Sequence, residues 1–197
     1  MTRSGTIGGM DALEPVPLPA GPFRLRPWRP DDVDAAFAAL VDPDTALWNA
    51  GWVKTREDAA YWLERRLEWT LAEHASWAVE DAATAVLVGS VSLHSIDREQ
   101  NDAEIGYWTA PAARGRGVAA RAVDAACRWG FGALPIDRIE LCHAVENVAS
   151  GRVAEKAGFV HEGRLRRSFR YGDGRKHDEL LWARLADDPA PVLSSRS

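Results

Sequence analysis

The chain contains stretches whose apolar residues recur at strand spacing and stretches whose apolar residues recur at helix spacing. Residues 23–28 alternate apolar and polar positions, which predicts a half-buried first strand. Helical patterns follow over about 30–41 and 55–74. The second of these opens with a relaxed capping box, Thr55 and Asp58.

The later part of the pattern is richer in strands. Segments 76–80 and 86–93 are typical of a hairpin, and a third at about 102–109 follows a polar turn, so these strands are expected to be antiparallel. The remaining elements are predicted as a helix over about 114–131, a strand at 139–144, a helix over 147–157 that stops at Gly158, and strands at 159–165 and 176–185. The order β, α, α, β, β, β, α, β, α, β, β favours an α/β (α+β) fold, a mixed sheet with helices on its faces.

Three segments lack a regular period. Residues 1–20 carry three prolines and three glycines, and residues 187–197 carry two prolines and three serines. Both are predicted to be flexible, as an N-terminal arm and a C-terminal tail. Residues 42–53 are predicted to form an irregular connection. A single domain over 21–186 remains, which suits a chain of 197 residues with 46% hydrophobic content.

Composition and charge exclude several classes of protein. The formal net charge of −5 argues against the basic surface of a nucleic-acid-binding protein. No run approaches 18 apolar residues, and residues 1–20 lack the apolar core of a signal peptide, so neither a membrane span nor secretion is expected. Cys127 and Cys142 lie in apolar segments without metal-ligand spacing. They favour buried thiols in a reducing compartment, the cytoplasm.

A glycine-rich turn, Arg114-Gly115-Arg116-Gly117-Val118-Ala119, links a predicted strand to a predicted helix. Glycines let the backbone approach an anion closely, and the N–H groups of a first helical turn point at it. The two arginines add positive charge. The turn predicts a phosphate-binding site, although two glycines there also suit an ordinary helix entry. It lacks the Lys-Ser/Thr pair of a nucleoside triphosphatase loop.

This turn resembles the Q/R-x-x-G-x-G/A motif of the GNAT superfamily of acyl-CoA-dependent acyltransferases. The predicted order of elements is also similar to that fold. The segment from Asn147 through Glu155-Lys156 to Gly158-Phe159 is similar to the N…(E)K-x-G-F pattern of the superfamily. The strand 104–108 and the pair Glu162-Gly163 resemble the Rim-type subgroup, which acetylates protein N-termini.

The resemblance implies a single-domain GNAT-like fold with a mixed, mostly antiparallel sheet. A central parallel strand pair, 104–109 and 139–144, would splay apart in it, with helices on both faces. Acetyl-CoA or another acyl-CoA is the implied co-substrate, with no metal. A backbone N–H near Tyr107 or Trp108 would donate to the thioester oxygen. The implied contacts with coenzyme A are Tyr107, Trp108, Thr109, Arg114, Gly115, Arg116, Gly117, Val118, Ala119, Asn147 and Ser150.

Amine acylation needs a base for the amine and a proton donor near the leaving thiolate. By resemblance Glu104 is the candidate base, the alternative being a surface carboxylate at a strand end. Ala154 stands where many relatives carry a proton-donating tyrosine. Ser150 is therefore the candidate beside the sulfur, with Asn147 holding the pantetheine amide or a water, and the alternative for Ser150 is a helix cap. The absent tyrosine keeps a non-catalytic coenzyme A sensor open. His143 is predicted to be a satisfied core residue.

The implied acceptor is a primary amine, either a protein or peptide N-terminus or a small molecule such as an antibiotic, polyamine or amino acid. Arg166 and Arg167 lie in a basic link that either faces an acidic acceptor or the 3′-phosphate of the co-substrate, or is a solvated turn. Trp48 and Trp52 flank the region where this fold builds its acceptor wall, or else belong to the core. Direct transfer is favoured over a cysteine acyl-enzyme. No nucleic acid or membrane partner is expected, and the subgroup suggests a homodimer.

Overall fold

The computed structural model describes residues 13–49, 51–69 and 73–193. In these ranges the strands are β1 Leu18–Ala20, β2 Phe23–Pro27, β3 Ala75–Asp81, β4 Leu87–Asp97, β5 Asp102–Thr109, β6 Arg138–Ala144, β7 Val160–Arg170 and β8 Lys176–Leu185. The α-helices are α1 Val33–Leu40, α2 Pro43–Trp48, α3 Arg56–Leu67, α4 Val118–Ala133 and α5 Val148–Lys156. The strands form one mixed sheet in the order β1-β2-β3-β4-β5-β6-β8-β7. Neighbouring strands of the described chain are antiparallel except β5 and β6, so the predicted fold class is confirmed.

Helices cover both faces of the sheet, as predicted. On one face α1 and α3 enclose a core that contains Trp28, Trp62 and Trp108. On the other face α4 and α5 pack against residues that include Ile105, with Ala154 of α5 buried among them. Alternate residues of β5 therefore point into different cores. Within the described residues, no helix has the length and apolar character needed to cross a membrane.

The two parallel strands β5 and β6 lie side by side for only a short distance. Their ladder consists of the pairs Asp102 with Arg138, Ala103 with Ile139, and Glu104 with Glu140. Beyond it, β5 stays paired with β4 as far as Thr109, and β6 stays paired with β8 as far as Ala144. We call the interval that opens between the strands beyond Glu104 and Glu140 the β5–β6 seam. It is the splayed central pair that the resemblance implied.

The prediction of a flexible N-terminal arm over residues 1–20 is wrong for its last residues, Leu18–Ala20, which form β1 and pair antiparallel with β2. Just before β1, the indole Nε1 of Trp77 donates a hydrogen bond to Val16 O at 2.8 Å. Pro19 is tolerated because β1 is at the edge of the sheet, where a missing N–H donor does little harm. Residues 1–12 lie outside the described residues.

The predicted irregular connection, residues 42–53, contains the short helix α2. Asp42 accepts a hydrogen bond from Thr45 N at 3.1 Å and caps this helix. Pro43 suits the first helical position, where no N–H is needed. The pair Asp42-Pro43 is a local signal for this helix, but the pattern of apolar positions did not predict it.

Helix α3 begins as predicted and ends early. The capping box of Thr55 and Asp58 is present, but the helix stops at Leu67 instead of continuing to His74. Trp69 follows the helix and packs edge-on against Trp77, with 4.8 Å between the ring centroids. Both tryptophans lie in the core beneath α4. A helix α3 that continued on the other face of the sheet would not bring Trp69 into that core.

The predicted C-terminal tail, residues 187–197, is described only in part. Residues 187–193 form no helix or strand. Asp188 Oδ2 accepts a hydrogen bond from Leu185 N at 2.8 Å, which holds the start of this segment beside β8. Residues 194–197 lie outside the described residues.

A buried ion network joins β2 to β3 and to the turn before α1. Arg26 Nε donates to Glu80 Oε2 at 2.6 Å, and its two terminal nitrogens donate to Asp32 at 2.7 Å each. All three side chains are buried. Arg24 supplies a second guanidinium to Glu80. Burial raises the pKa of Glu80, but the hydrogen bonds from Arg26 and Arg24 outweigh it and hold that pKa below its ordinary value.

Replacing Glu80 with glutamine is expected to lower the free energy of unfolding by about 3 kcal/mol, since Arg26 loses half of its compensating charge in a buried place. Because the folded pKa of Glu80 is depressed, its contribution is present at neutral pH and is lost as the pH falls through that folded pKa. Variant and wild type should therefore converge in acid. Urea denaturation across this pH range measures both effects. Asp34→Asn, which breaks an exposed ion pair with Arg56, should leave stability nearly unchanged. Equal losses in the two variants would contradict the prediction.

Candidate active site

The glycine turn lies between the end of β5 and the first turn of α4. Gly115 and Gly117 have φ angles of 79° and 77°, in the left-handed region that favours glycine. Among the described residues, no heavy atom beyond the chain neighbours lies within 4 Å of a Cβ built on Gly115. The first helical bond runs from Arg121 N to Gly117 O at 3.3 Å, so earlier N–H groups have no carbonyl partner within α4. Val118 is buried and anchors this turn, and Ala119 is half-buried. The turn forms an open cradle of backbone donors that suits a phosphate.

The side chains of the two arginines in this turn are held by residues elsewhere. Arg114 bonds to three side chains at the start of α2, Asp42, Asp44 and Thr45. Arg116 Nη2 donates to Asp81 Oδ2 at 2.6 Å. Carboxylates therefore balance much of the charge that the sequence placed in the turn. The backbone N–H groups are its more direct ligands for an anion, and Arg114 instead ties the turn to α2.

The seam leads directly from the β5–β6 ladder to the glycine turn. Beyond Glu104, the backbone groups of β5 that face β6 have no ladder partner there. Such groups need another partner, which fits the predicted N–H donor near Tyr107, although the donor itself stays a prediction. The side chain of Trp108 is buried in the core beneath α1 and α3. Thr109 ends β5 and is followed by the short turn into α4.

On the α5 side of the seam, the hydroxyl of Tyr107 meets the hydroxyl of Ser150. The two oxygens are 2.6 Å apart, and Ser150 is buried. Burial raises the pKa of Tyr107 to about 12, so the phenol keeps its proton at neutral pH. The sequence suggested only the backbone of Tyr107. It gave no sign of the phenol's role, because 43 residues separate it from Ser150.

Asn147 caps helix α5. Its side-chain oxygen accepts a hydrogen bond from Ser150 N at 3.2 Å. The capping alternative for Ser150 is therefore wrong, since Ser150 lies in the first turn and its hydroxyl contacts Tyr107. One turn further on lies Ala154, which is fully buried and has no hydroxyl to donate. The contact between Asn147 and the pantetheine amide or a water stays a prediction.

Glu104 lies on the sheet face opposite Ser150, at the last rung before the seam. Its side chain is 54% exposed, and its Oε2 is 4.0 Å from Nδ1 of His94. Glu140 stands beside it in register on β6, but Glu140 Oε1 accepts a hydrogen bond from Arg138 at 2.7 Å. A candidate base and a candidate sulfur ligand thus lie on opposite faces of the sheet, next to the seam. An amine could approach from one face while a thiolate is stabilised on the other.

The two tryptophans predicted to form an acceptor wall lie in different contacts. Trp48 packs edge-on against Tyr171 of the β7–β8 hairpin, with 5.6 Å between the ring centroids. Trp52 is 45% exposed and contacts Tyr61 of α3 at 6.1 Å. Trp48 therefore joins α2 to the hairpin, whereas Trp52 lies at the surface beside α3. Their roles toward an acceptor stay predictions.

The basic link between the last two strands belongs to strand β7. Arg166 and Arg167 are exposed on this edge strand, where the register with β8 shifts between Leu165 and Phe169. Arg167 has a φ of 48°, and its N–H donates to Asp178 Oδ1 at 2.8 Å. The prediction of a solvated turn is thus replaced by a bulged edge strand. A contact of either arginine with an acceptor stays a prediction.

His143 and the cysteines have structural places. His143 Nε2 accepts a hydrogen bond from Trp182 Nε1 at 3.0 Å, and Nδ1 lies 2.8 Å from Ala144 O, so His143 is the satisfied core residue that was predicted.

Cys127 is buried as expected, but Cys142 is exposed, which corrects the prediction for that thiol. Burial raises the pKa of Cys127 to about 12. Partial loss of solvent and the negative charges of Glu179 and Glu140 raise the pKa of Cys142 to about 12, so neither thiol is a ready nucleophile. In the part of the chain that the structure describes, no group of three or more His, Cys, Asp or Glu side chains could hold a metal ion.

The chain is similar to several known proteins. The "Putative ribosomal N-acetyltransferase YdaF" of Bacillus subtilis is 38% identical over 103 residues, which cover 50% of this chain and 54% of that protein. Spermidine N(1)-acetyltransferase of Vibrio cholerae is 35% identical over 102 residues, which cover 52% of this chain and 58% of that protein. The chain thus spans little more than half the length of these curated relatives. Among solved structures, Mycobacterium smegmatis RimJ in complex with CoA-disulfide matches with a TM-score of 0.74 and 26% identity, over 90% of this chain and 88% of that one.

The family match covers the glycine turn, the seam and the hydroxyl pair. Residues 23–160 match the family described as the acetyltransferase (GNAT) domain. This range contains every element from β2 to α5. The resemblance that the sequence suggested is confirmed, and the chain belongs to the GNAT acetyltransferase domain family.

Proposed function

We propose that this protein is an acyl-CoA-dependent N-acetyltransferase that transfers an acetyl group to a primary amine by direct attack. One observation carries the proposal. An open glycine cradle at the start of α4 follows directly on a strand that separates from its parallel neighbour. The cradle suits a pyrophosphate, and the seam offers unpaired backbone groups to the amide groups of an extended arm. Coenzyme A has both parts.

The residues that would hold the acetyl donor fall into two groups. The backbone of Gly115, Gly117 and Ala119 would bind the pyrophosphate. Their N–H groups precede the first helical bond, from Arg121 N to Gly117 O, the space around Gly115 is open, and the helix dipole favours an anion. The β5 backbone near Tyr107 would bind the pantetheine arm and the thioester oxygen. Asn147 and Ser150 would lie beside the arm on the α5 side. The bound donor supplies an acetyl group activated as a thioester.

The reaction transfers one proton from nitrogen to solvent and one from solvent to sulfur. The amine lone pair attacks the thioester carbon, a C–N bond forms, and the C–S bond breaks with its electron pair on sulfur. Glu104 would accept the amine proton and release it to water. Ser150 would donate a hydrogen bond to the developing thiolate, which then takes a proton from water. Neither cysteine forms a covalent intermediate in this scheme.

A protein or peptide N-terminus is the acceptor class that we propose. The support is the similarity to YdaF and RimJ, together with the Rim-type features at strand 104–108 and Glu162-Gly163. A small-molecule amine is the second candidate, favoured by the similarity to the spermidine enzyme. Both use the same chemistry at the same seam. The two classes of acceptor would differ in the part of the substrate that lies against α2 and the β7–β8 hairpin.

Purified protein is expected to transfer acetyl from acetyl-CoA to at least one member of a panel of peptides that differ in their N-terminal residue. Spermidine and free amino acids serve as the small-molecule arm. Mass spectrometry detects the added acetyl group, and a thiol reagent detects released coenzyme A. Blocking the peptide α-amine should abolish the mass shift, even in a peptide that keeps a free lysine side chain.

Two outcomes would change this proposal. Turnover of spermidine with no turnover of any peptide would favour the small-molecule acceptor. Tight binding of coenzyme A with no turnover on any amine would favour the non-catalytic sensor. Calorimetry with coenzyme A, run beside the acyl-transfer assay, separates these cases.

We propose that the reaction takes place in the cytoplasm. Two free cysteines support a reducing compartment. The homodimer that the subgroup suggests stays a prediction, which size-exclusion chromatography with light scattering would test.

A further inference from the structure

The hydroxyl of Tyr107 crosses the β5–β6 seam to reach Ser150. Tyr107 lies on β5 three residues beyond Glu104, where the ladder with β6 ends. Ser150 lies on α5, which follows β6 in the chain. Their oxygens are 2.6 Å apart. This hydrogen bond connects the two sides of the seam after the strands themselves have separated.

The positions of the two oxygens fit either direction of this hydrogen bond, and the acidity of the two hydroxyls favours donation by Tyr107. A phenol is a far stronger acid than an aliphatic hydroxyl, so the Tyr107 O–H is the better donor and Ser150 Oγ the better acceptor. Burial raises the pKa of Tyr107 to about 12, so the donating proton stays in place through the physiological range. With one lone pair of Oγ occupied, the single proton of Ser150 must point elsewhere.

The position of Ser150 is fixed independently of its hydroxyl. Its backbone N–H donates to the side chain of Asn147, which caps α5. Its Cα is therefore set by the first turn of α5, and its Oγ is held by Tyr107. Within the described residues, the backbone N–H of Ser150 is thus bonded to Asn147 and its Oγ accepts from Tyr107, which leaves the serine O–H as the donor that these contacts do not use.

We propose that Tyr107 is a positioning residue that holds Ser150 Oγ at the seam and directs its proton toward the departing sulfur. This inference rests on the proposed function. As the C–S bond breaks, the electron pair stays on sulfur, and Ser150 donates a hydrogen bond to it. An ordinary thiol has a pKa of about 8.5, well below that of either hydroxyl, so both hydroxyls keep their protons. The bond from Tyr107 polarises the serine O–H and strengthens its donation.

Tyr107→Phe removes the donor and keeps the ring. The turnover number kcat is expected to fall by at least about tenfold, whereas KM and the Kd for coenzyme A change by less than about threefold. Ser150→Ala should show a similar or larger loss of kcat. Adding Tyr107→Phe to Ser150→Ala should cause no further loss, because the tyrosine acts only through the serine.

A readout that needs no turnover is the pKa of the coenzyme A thiol when bound. Ultraviolet absorbance of the thiolate, followed against pH, gives this value. In the wild type the serine donor should hold it below the value in free coenzyme A, and either substitution should raise it by about half a unit or more. Tyr61→Phe, on the exposed surface of α3, is the matched control and should leave the pKa of the bound coenzyme A thiol unchanged.

Two results would overturn the inference. One is a double variant whose loss of kcat equals the product of the two single losses. The other is a Tyr107→Phe protein with a lower melting temperature but an unchanged bound-thiol pKa, which would make the bond purely structural. If the wild type acetylates no amine, the proposed function fails. The thiol titration still tests the Tyr107–Ser150 contact, because it requires only that coenzyme A binds.

Discussion

Replacing Gly115 with aspartate is expected to weaken coenzyme A binding by at least about a hundredfold, which corresponds to about 2.7 kcal/mol. The space around Gly115 is open, so the side chain would enter the cradle where a pyrophosphate would lie. Its carboxylate would also place a negative charge against the anion. Isothermal titration calorimetry with coenzyme A measures the loss directly.

Gly174→Asp is the matched control for this change. Gly174 has a φ of 76°, and within the described residues a Cβ there would likewise meet no heavy atom within 4 Å. The two substitutions impose similar backbone strain, in the α4 turn and at the β7–β8 hairpin. Both should lower the melting temperature by similar amounts, but Gly174→Asp should leave the Kd for coenzyme A unchanged. Equal weakening of binding in both variants would remove the turn from the cofactor site.

The parts of the fold that depend on neighbouring residues were accessible from the sequence. Thr55 and Asp58 form the predicted capping box because both lie within one helical turn. Gly115 and Gly117 adopt the left-handed conformations that a tight turn into a helix requires. Such features need no knowledge of distant contacts. The alternating pattern likewise gave β3, β4 and β5 within a few residues of their bounds.

Elements that depend on distant contacts were missed or misplaced. Strand β1 lies in a proline-rich stretch without a period, and it is stabilised by pairing with β2 and by the bond from Trp77 to Val16. Helix α3 stops early because Trp69 packs against Trp77 in the opposite core. Neither contact has a local signal. Propensity and spacing give way to tertiary packing at both places.

The candidate site shows the same division. The glycine turn is local, so its location came from the residues themselves. The seam was implied only by resemblance, since no periodicity tells which strands are parallel. The pairs of Tyr107 with Ser150 and of Arg114 with Asp42 join residues that are 43 and 72 positions apart. Their geometry could be read only from the folded chain.

Glu104→Gln is expected to reduce kcat/KM by about a hundredfold, because it removes the carboxylate that would accept the amine proton. Glu104 lies at the last rung before the seam, on the face opposite the Tyr107–Ser150 pair, and is largely open to an approaching amine. The amide keeps the shape and loses the base. The residual activity should rise steeply with pH, as the fraction of free amine increases. The pH profile of kcat/KM, measured with one peptide acceptor, tests this.

Glu140→Gln separates catalysis from surface charge. Glu140 stands in register with Glu104 on the neighbouring strand, so both substitutions remove one negative charge from the same region of the sheet. However, Glu140 is held by Arg138 and is less exposed, with a side chain at 32% against 54% for Glu104. We expect Glu140→Gln to leave the pH profile unchanged. If both variants lose activity equally, the carboxylates act through the general field of this face. If neither does, solvent removes the amine proton, and Glu104 is a surface carboxylate at the end of the ladder.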